Sequence, residues 1–251
     1  MKNVCLFLIQ ALMALSLVYA TGCSKDDPAP IDTGEPDYAD GGDSGGTNTP
    51  PSDPEGTITL SVRNTSNGKT SVPLYSGIDF GIDNGNNFYS GSSWYFVSVG
   101  QVQGLGGVTK IPDAGWSTNC AVMTGYGYIG AVYYNINFAY GSNQITFVRI
   151  YVDNVIIGAG SGGVIGYMIK YQYPFNGAAT AIGLSAKTIK TGQSVTLNKV
   201  SCSISPVAVN DGFKYFSFDG TKVSLTFPSG ASGTYTVSSP GLSDETIVVS
   251  P

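Results

Sequence analysis

Histidine is absent from this 251-residue chain, and the absence removes more chemistry than any motif adds. Without an imidazole there is no serine–histidine or cysteine–histidine nucleophile and no histidine metal ligand. Nor is there a side chain that ordinarily changes charge near neutral pH. Carboxylate pairs, a lysine-assisted nucleophile and an oxygen-bound cation stay open. Arginine occurs only at Arg63 and Arg149, and the lysines are scattered. Nucleic-acid binding needs a concentrated stripe of phosphate-neutralising side chains, so it is excluded as a role. Amphipathic helices are missing as well, because no window holds a 3.6-residue apolar period with charges opposite. A long apolar run occurs once, at the very start.

That run extends from Val4 to Ala20 behind a single positive side chain, Lys2. It suits the apolar core of a signal peptide over residues 1–22 and is short for a membrane span with a stop-transfer flank. Ala20-Thr21-Gly22-Cys23 closes it and resembles the lipobox of bacterial lipoproteins, with Ala20 where leucine is more usual. Cys23 is therefore the expected lipidation site; an ordinary secretory signal that leaves its thiol bare is the alternative. Each buried methylene contributes about 0.8 kcal/mol, so two or more acyl chains hold firmly where one binds reversibly. No later segment is apolar over a spanning length, and the membrane partnership rests on this anchor. Ser24-Lys25-Asp26-Asp27 follows. A lysine and two acids behind the lipidated cysteine look like the surface-export signal of Bacteroidetes lipoproteins, which implies the outer face of the outer membrane.

Residues 23–56 read as a tether. From Lys25 to Gly56 there are nine acids, one lysine and hardly a large apolar side chain. Such a segment cannot bury enough surface to offset its ordering entropy, so disorder is expected, and like charges extend it. The remainder is different. Residues 57–251 carry eight acids and ten bases, so the acidity of the chain belongs to the tether.

The body reads as all-β. Stretches such as Trp94 to Val99, Gln144 to Val152, Val164 to Tyr173 and Lys222 to Phe227 are rich in Val, Ile, Thr, Tyr and Phe. Gly, Asn, Ser and Pro bound them. Asn176-Gly177-Ala178-Ala179 looks like a link. The expected division is a strand-rich first domain over 57–178 and a small sandwich-like module over 179–251, marginal in size for independent folding. One continuous domain is the alternative.

Two stretches carry a resemblance. IDFGIDNGNNFYSGSSWYFVSVGQVQGLGGVTKIPDAGWSTNCAVMTGYGY (78–128) is similar to a family of uncharacterised Bacteroides lipoproteins classed as a domain of unknown function. FVRIYVDNVIIGAGSGGVIGYMIKYQYPF (147–175) looks like the end of the same domain, so the resemblance covers roughly residues 57–178. It implies a cell-envelope setting and brings no activity, ligand or cofactor with it.

For chemistry, the residues offer little. The acids of the body form no recognisable catalytic pattern; Asp211-Gly212 and Asp219-Gly220 are turn dipeptides. Asp79, Asp83 and Asn86 lie in the densest run of oxygen ligands, yet the run lacks the closing glutamate and spacing of a calcium loop. An Asx-rich turn explains it better. The glycine runs at 100–107 and 158–163 lack the lysine and the following helix of a phosphate loop. Cys120 and Cys202 are left after Cys5 and Cys23, and either a disulfide or two free thiols suits the compartment. Aromatic residues stand out: Trp94, Trp116, Tyr126, Tyr128, Tyr171 and Tyr173 are candidate ligand contacts. On a strand Tyr126 and Tyr128 share a face, as do Tyr171 and Tyr173. Rings of this kind stack on sugars or partner proteins, and their competing role is core filling. The expectation is a non-enzymatic surface lipoprotein without cofactor, whose partners are carbohydrate or another surface protein. A carboxylate-based glycan hydrolase and a structural subunit of a fimbria-like assembly are the alternatives.

Overall fold

The computed structural model describes residues 52–63, 70–75, 78–89, 94–135, 143–160, 162–207 and 215–251. The expected signal peptide, Cys23 and the expected tether up to residue 51 lie outside the described residues. The described residues are those of an all-β protein. The first strands are β1 (Ile58–Arg63), β2 (Thr70–Tyr75), β3 (Ile78–Ile82), β4 (Asn87–Tyr89) and β5 (Trp94–Gln101). After a single 3-10 turn at Leu105–Gly107 come β6 (Asn119–Ala121), β7 (Tyr126–Asn135), the long β8 (Asn143–Ile157) and β9 (Val164–Gln172). Seven short strands finish the chain: β10 (Thr188–Lys190), β11 (Ser194–Leu197), β12 (Cys202–Ser205), β13 (Phe216–Phe218), β14 (Val223–Thr226), β15 (Gly233–Ser238) and β16 (Glu245–Ser250).

They form three sheets. Nine strands make the largest, in the order β1-β9-β8-β12-β15-β16-β10, with β7 and then β5 joined to β8. A four-stranded sheet, β2-β3-β4-β6, and a three-stranded one, β11-β14-β13, complete the set. Because successive side chains on a strand point to opposite faces, the large sheet builds one core on each side. On β5, Trp94 and Phe96 enter a core with Phe80, Ile82 and Phe88 of the four-stranded sheet. Their neighbour Val97 enters another core, with Val195, Leu197, Phe218 and Leu225 of the three-stranded sheet. The same switch occurs on β8 between Phe147 and Val148. Two glycines of β7 make room for what lies on them. A Cβ at Gly130 would sit 2.8 Å from Val148 Cγ1 and 3.0 Å from the Phe96 ring. One at Gly127 would sit 2.5 Å from Val108 Cγ2, so the loop after β5 lies directly on the sheet there.

From β10 onward the strands pair as in an immunoglobulin-type sandwich. The second, fifth and fourth form one sheet and the third, sixth and seventh the other, with the first strand parallel to the last. The pairing pattern changes after residue 178, while the large sheet continues across that point. β12 pairs antiparallel with β8, Cys202 facing Ile145, so the sandwich sheet continues into the large sheet. Val97, Ile129 and Phe147 share a core with the C-terminal strands, and the described residues from 52 onward form one compact unit. A seventy-residue sandwich has too little interior of its own, and it borrows an edge and a core from the strands before it.

The join has a specific lock. Along one edge β8 pairs with β7; along the other it meets β12 at Asn143–Ile145 and β9 from Arg149 onward. At the fork between them the Phe147 N–H would lack a strand partner. Ser201, 2% exposed, supplies one: its Oγ accepts from Phe147 N at 2.9 Å and donates to Phe175 O at 3.1 Å. Phe175 N in turn donates to Phe147 O at 2.9 Å. Asn176 accepts from Ser201 N at 2.8 Å and donates to Pro240 O at 2.7 Å and Ser239 Oγ at 3.1 Å. Buried polar groups left unpaired cost about 1–3 kcal/mol each. Ser201→Ala should therefore lower unfolding stability by about 1–3 kcal/mol in urea titrations; an unchanged midpoint would show that the fork needs no such pin.

Candidate functional site

The six candidate ring residues do not form a platform. Trp94, Tyr128 and Tyr171 are 4%, 0% and 3% exposed and belong to the core under the four-stranded sheet. Trp94 stacks on Phe96 with centroids 5.6 Å apart, and Tyr128 meets Phe88 edge-on at 4.9 Å. These rings stabilise the fold, each pair by about 0.5–1.5 kcal/mol beyond burial. Tyr126 and Tyr173 are half-buried against the same core, Tyr173 parallel to Tyr171 at 6.4 Å. Trp116 plugs the join, edge-on to Phe218 at 4.9 Å, with its Nε1 donating to Pro112 O at 3.1 Å. A strand buried on both faces leaves no solvent side for a ring ladder.

Other candidates resolve into structural roles. One Asp83 carboxylate oxygen accepts the N–H groups of Gly85 and Asn87, both at 2.9 Å, and Asn86 takes a positive φ of 57° at the tip. This is the Asx-type turn between β3 and β4. For Asp79 only the backbone is described. Among the described residues no three ligating side chains converge on a metal position. Cys120 and Cys202 are free thiols and no disulfide joins them. They belong to opposite cores, with the large sheet between, and burial pushes both thiols up in pKa.

The polar surface lies elsewhere, at the end of the large sheet that the three-stranded sheet does not cover. On β9, Tyr167, Ile169 and Tyr171 point to the core, which turns Lys170 and Gln172 to the opposite face. Tyr151 faces Lys170 across the strand pair, and Arg149 faces Gln172. The Arg149 Nε donates to Gln172 Oε1 at 2.8 Å, its Nη2 also reaches that oxygen, and its Nη1 donates to Val108 O at 3.1 Å. Its guanidinium also lies 4.9 Å from the Phe175 ring centre. Arg149 thus fastens the loop over Gly127 to the sheet, and partial burial lowers its pKa.

Residues 52–56, expected as the end of a disordered tether, form the other wall. The Lys170 ammonium pairs with Asp53 Oδ2 at 2.9 Å and with Asp153 Oδ2 at 3.7 Å, and Gln172 Nε2 donates to Glu55 O. The hydrogen bond that Lys170 donates to Asp53 is the main cause that raises its pKa. One ion pair, from Lys170 to Asp53, and one amide hydrogen bond, from Gln172 to Glu55, fasten this short segment although its composition matches that of the tether. Between the two walls opens a cleft of about 460 Å³, floored by Tyr151, Asp153 and Lys170 and edged by Ser52, Asp53, Gln103 and Gly104. Among the described residues the Tyr151 hydroxyl and the Gln103 amide have no side-chain hydrogen bond within the protein. The two carboxylates are bridged by the Lys170 ammonium. The cleft is furnished for hydrogen bonding and ring contact. Tyr151 and Asp153, two apart on one strand, were the available signal in sequence; Asp53 had none.

The family model of a domain of unknown function, DUF5036, matches residues 59–195, more than half of the chain. The chain belongs to that family. The match runs across residues 178 and 179 and carries every cleft residue except Ser52 and Asp53. No curated protein and no solved structure matches the chain.

The buried Tyr128 gives a pH test. Its hydroxyl donates to Ala121 O at 3.0 Å and accepts from Met123 N at 2.8 Å, and burial pushes its pKa up to about 12. A tyrosine unfolds to a pKa of about 10. The contribution of the neutral phenol is thus complete below about pH 10 and fades as pH climbs towards the folded value. Tyr128→Phe should lose about 1 kcal/mol at neutral pH and show a shallower alkaline fall in urea midpoint. Superimposable alkaline curves would contradict this role.

Proposed function

We propose that the protein is a non-enzymatic glycan-binding module, anchored through acyl chains on Cys23 in the outer membrane of a Bacteroidetes cell and displayed on its surface. Anchoring is supported by the apolar leader, the small residues before Cys23 and the acidic stretch behind it. An acidic tether of this length keeps the folded part clear of the anionic surface.

The observation that carries the binding reading is the open cleft over Tyr151 and Lys170. Sugars are recognised by a ring face beside hydrogen-bonding groups, and here Tyr151 stands next to the Asp153 carboxylate and the Gln103 amide. Two carboxylates against one ammonium leave the cleft net negative. That balance favours neutral, hydroxyl-rich chains over acidic ones at this position. The ammonium between the acids favours binding over hydrolysis.

The test uses the full chain in detergent and a panel of neutral polysaccharides of different linkage. At least one should bind, and Tyr151→Ala should weaken it about tenfold, the equivalent of about 1.4 kcal/mol, with the unfolding midpoint unchanged. Retention of no neutral glycan, or equal binding by the variant, would refute the assignment. In cells, Cys23→Ala should abolish acyl labelling and release the protein from the membrane fraction. A variant that stays membrane-bound would overturn the anchoring.

A further inference from the structure

A second cleft, of about 550 Å³, lies at the join between the immunoglobulin-type sandwich and the strands before it. Its charge is opposite to that of the first. Lys110 enters from the loop after the 3-10 turn, Lys199 from the connection between β11 and β12, and Lys222 from the turn before β14. Three of the ten basic residues of the body thus line one opening, and among the described residues they meet a single carboxylate, Asp113. That carboxylate is already engaged: Lys199 Nζ holds it at 2.6 Å while donating to Pro112 O at 3.0 Å. The nearby Asp219 accepts the backbone N–H groups of Thr221 and Lys222, at 2.8 and 2.9 Å, in its own turn. Among the described residues no carboxylate pairs with the ammonium groups of Lys110 and Lys222.

The rest of the lining adds donors. The hydroxyls of Thr180 and Thr221, which line the same cleft, have no hydrogen bond among the described residues. The frame around them is fixed, because Asn176 and Asn198 use their side chains to tie neighbouring segments together. A pocket at such a join, of this size and held by its own hydrogen bonds, is a common setting for a ligand. Surplus donors and surplus positive charge select an anion rich in oxygen. Among the described residues no aromatic ring lines the cleft, so they offer no platform on which a nucleic-acid base could stack.

We infer that this cleft binds acidic sugar chains through Lys110 and Lys222, at a site separate from the neutral-glycan cleft over Tyr151. Carboxylate and sulfate substituents share the required chemistry, and the test separates them.

The experiment measures binding of the full chain in detergent to an oligogalacturonate, a sulfated galactan oligosaccharide and a neutral galactan of equal length. The expected result is that one or both acidic chains bind, and that binding weakens as salt rises from low to physiological strength. Lys110→Gln with Lys222→Gln should reduce that affinity about tenfold or more, while Tyr151→Ala leaves it unchanged. Both lysines project from the surface, so the double variant should keep the wild-type unfolding midpoint. Binding of acidic chains that ignores the double substitution would overturn the inference. So would equal binding of the neutral galactan at this site, or preference for a single-stranded oligonucleotide sensitive to the same lysines. Failure of the Tyr151→Ala test alone would refute the neutral-glycan reading and leave the lysine-dependent binding standing.

Discussion

The hydrogen bonds of Ser201 and Asn176 at the fork in β8 are what the remainder of the architecture hangs on. A β-strand has two edges, and the outer one here is divided between two partners that come from different parts of the chain. Where they part, the backbone of Phe147 would face a gap. Ser201 closes it from the C-terminal side, and Phe175 closes it from the end of the first strand block. Asn176 then joins that closure to the β15–β16 turn. Without a polar filler the Phe147 N–H would be buried unpaired at the fork, a cost of about 1–3 kcal/mol to the join. One hydroxyl and one amide therefore complete the pairing where two strand systems that already share a core come together.

The consequence for the surface follows from the sheet's unequal cover. Where the three-stranded sheet lies over the large one, both faces are dry and the side chains are apolar. Beyond its limit, the same alternation sends Lys170, Tyr151 and Arg149 to a face with no third layer. The protein finishes that face with polar pieces instead: the loop held by Arg149 and the segment that carries Asp53. The two clefts sit at the two margins of this arrangement, one where the covering sheet stops and one where the two strand systems meet. Their opposite charges arise from local geometry, since the body as a whole is close to neutral.

Much of the fold was legible in the amino-acid order. Alternation in Ser194-Val195-Thr196-Leu197 and Lys222-Val223-Ser224-Leu225 marks half-buried strands, and they are β11 and β14. The rings were harder. Trp94-Tyr95-Phe96-Val97 is apolar at every position because the sheet is covered on both sides there, and a continuous run carries no information about which face is wet. Hence Trp94, Tyr128 and Tyr171 could be proposed as contacts on composition alone, although each is interior. The continuation of the sheet past residue 178 was not legible, because the pairing of Cys202 with Ile145 spans a long loop of chain that leaves no local pattern. Asp53 was the least legible of all. Its neighbours have the composition of a disordered segment, and only the position of Lys170 in three dimensions distinguishes it from the other acids before it.

The placement of Asp53 also determines how tension would travel through the molecule. Any pull on the chain from its amino-terminal side meets the folded body first at the Lys170 ion pair, next at the Gln172 amide that grips Glu55, and only then at Ile58, where the ladder between β1 and β9 begins. A weak, rapidly re-formed electrostatic clasp thus stands in series ahead of the hydrogen-bonded strand. Small loads would be absorbed by opening and closing that clasp at the rim of the cleft, sparing the sheet itself and moving one wall of the opening each time.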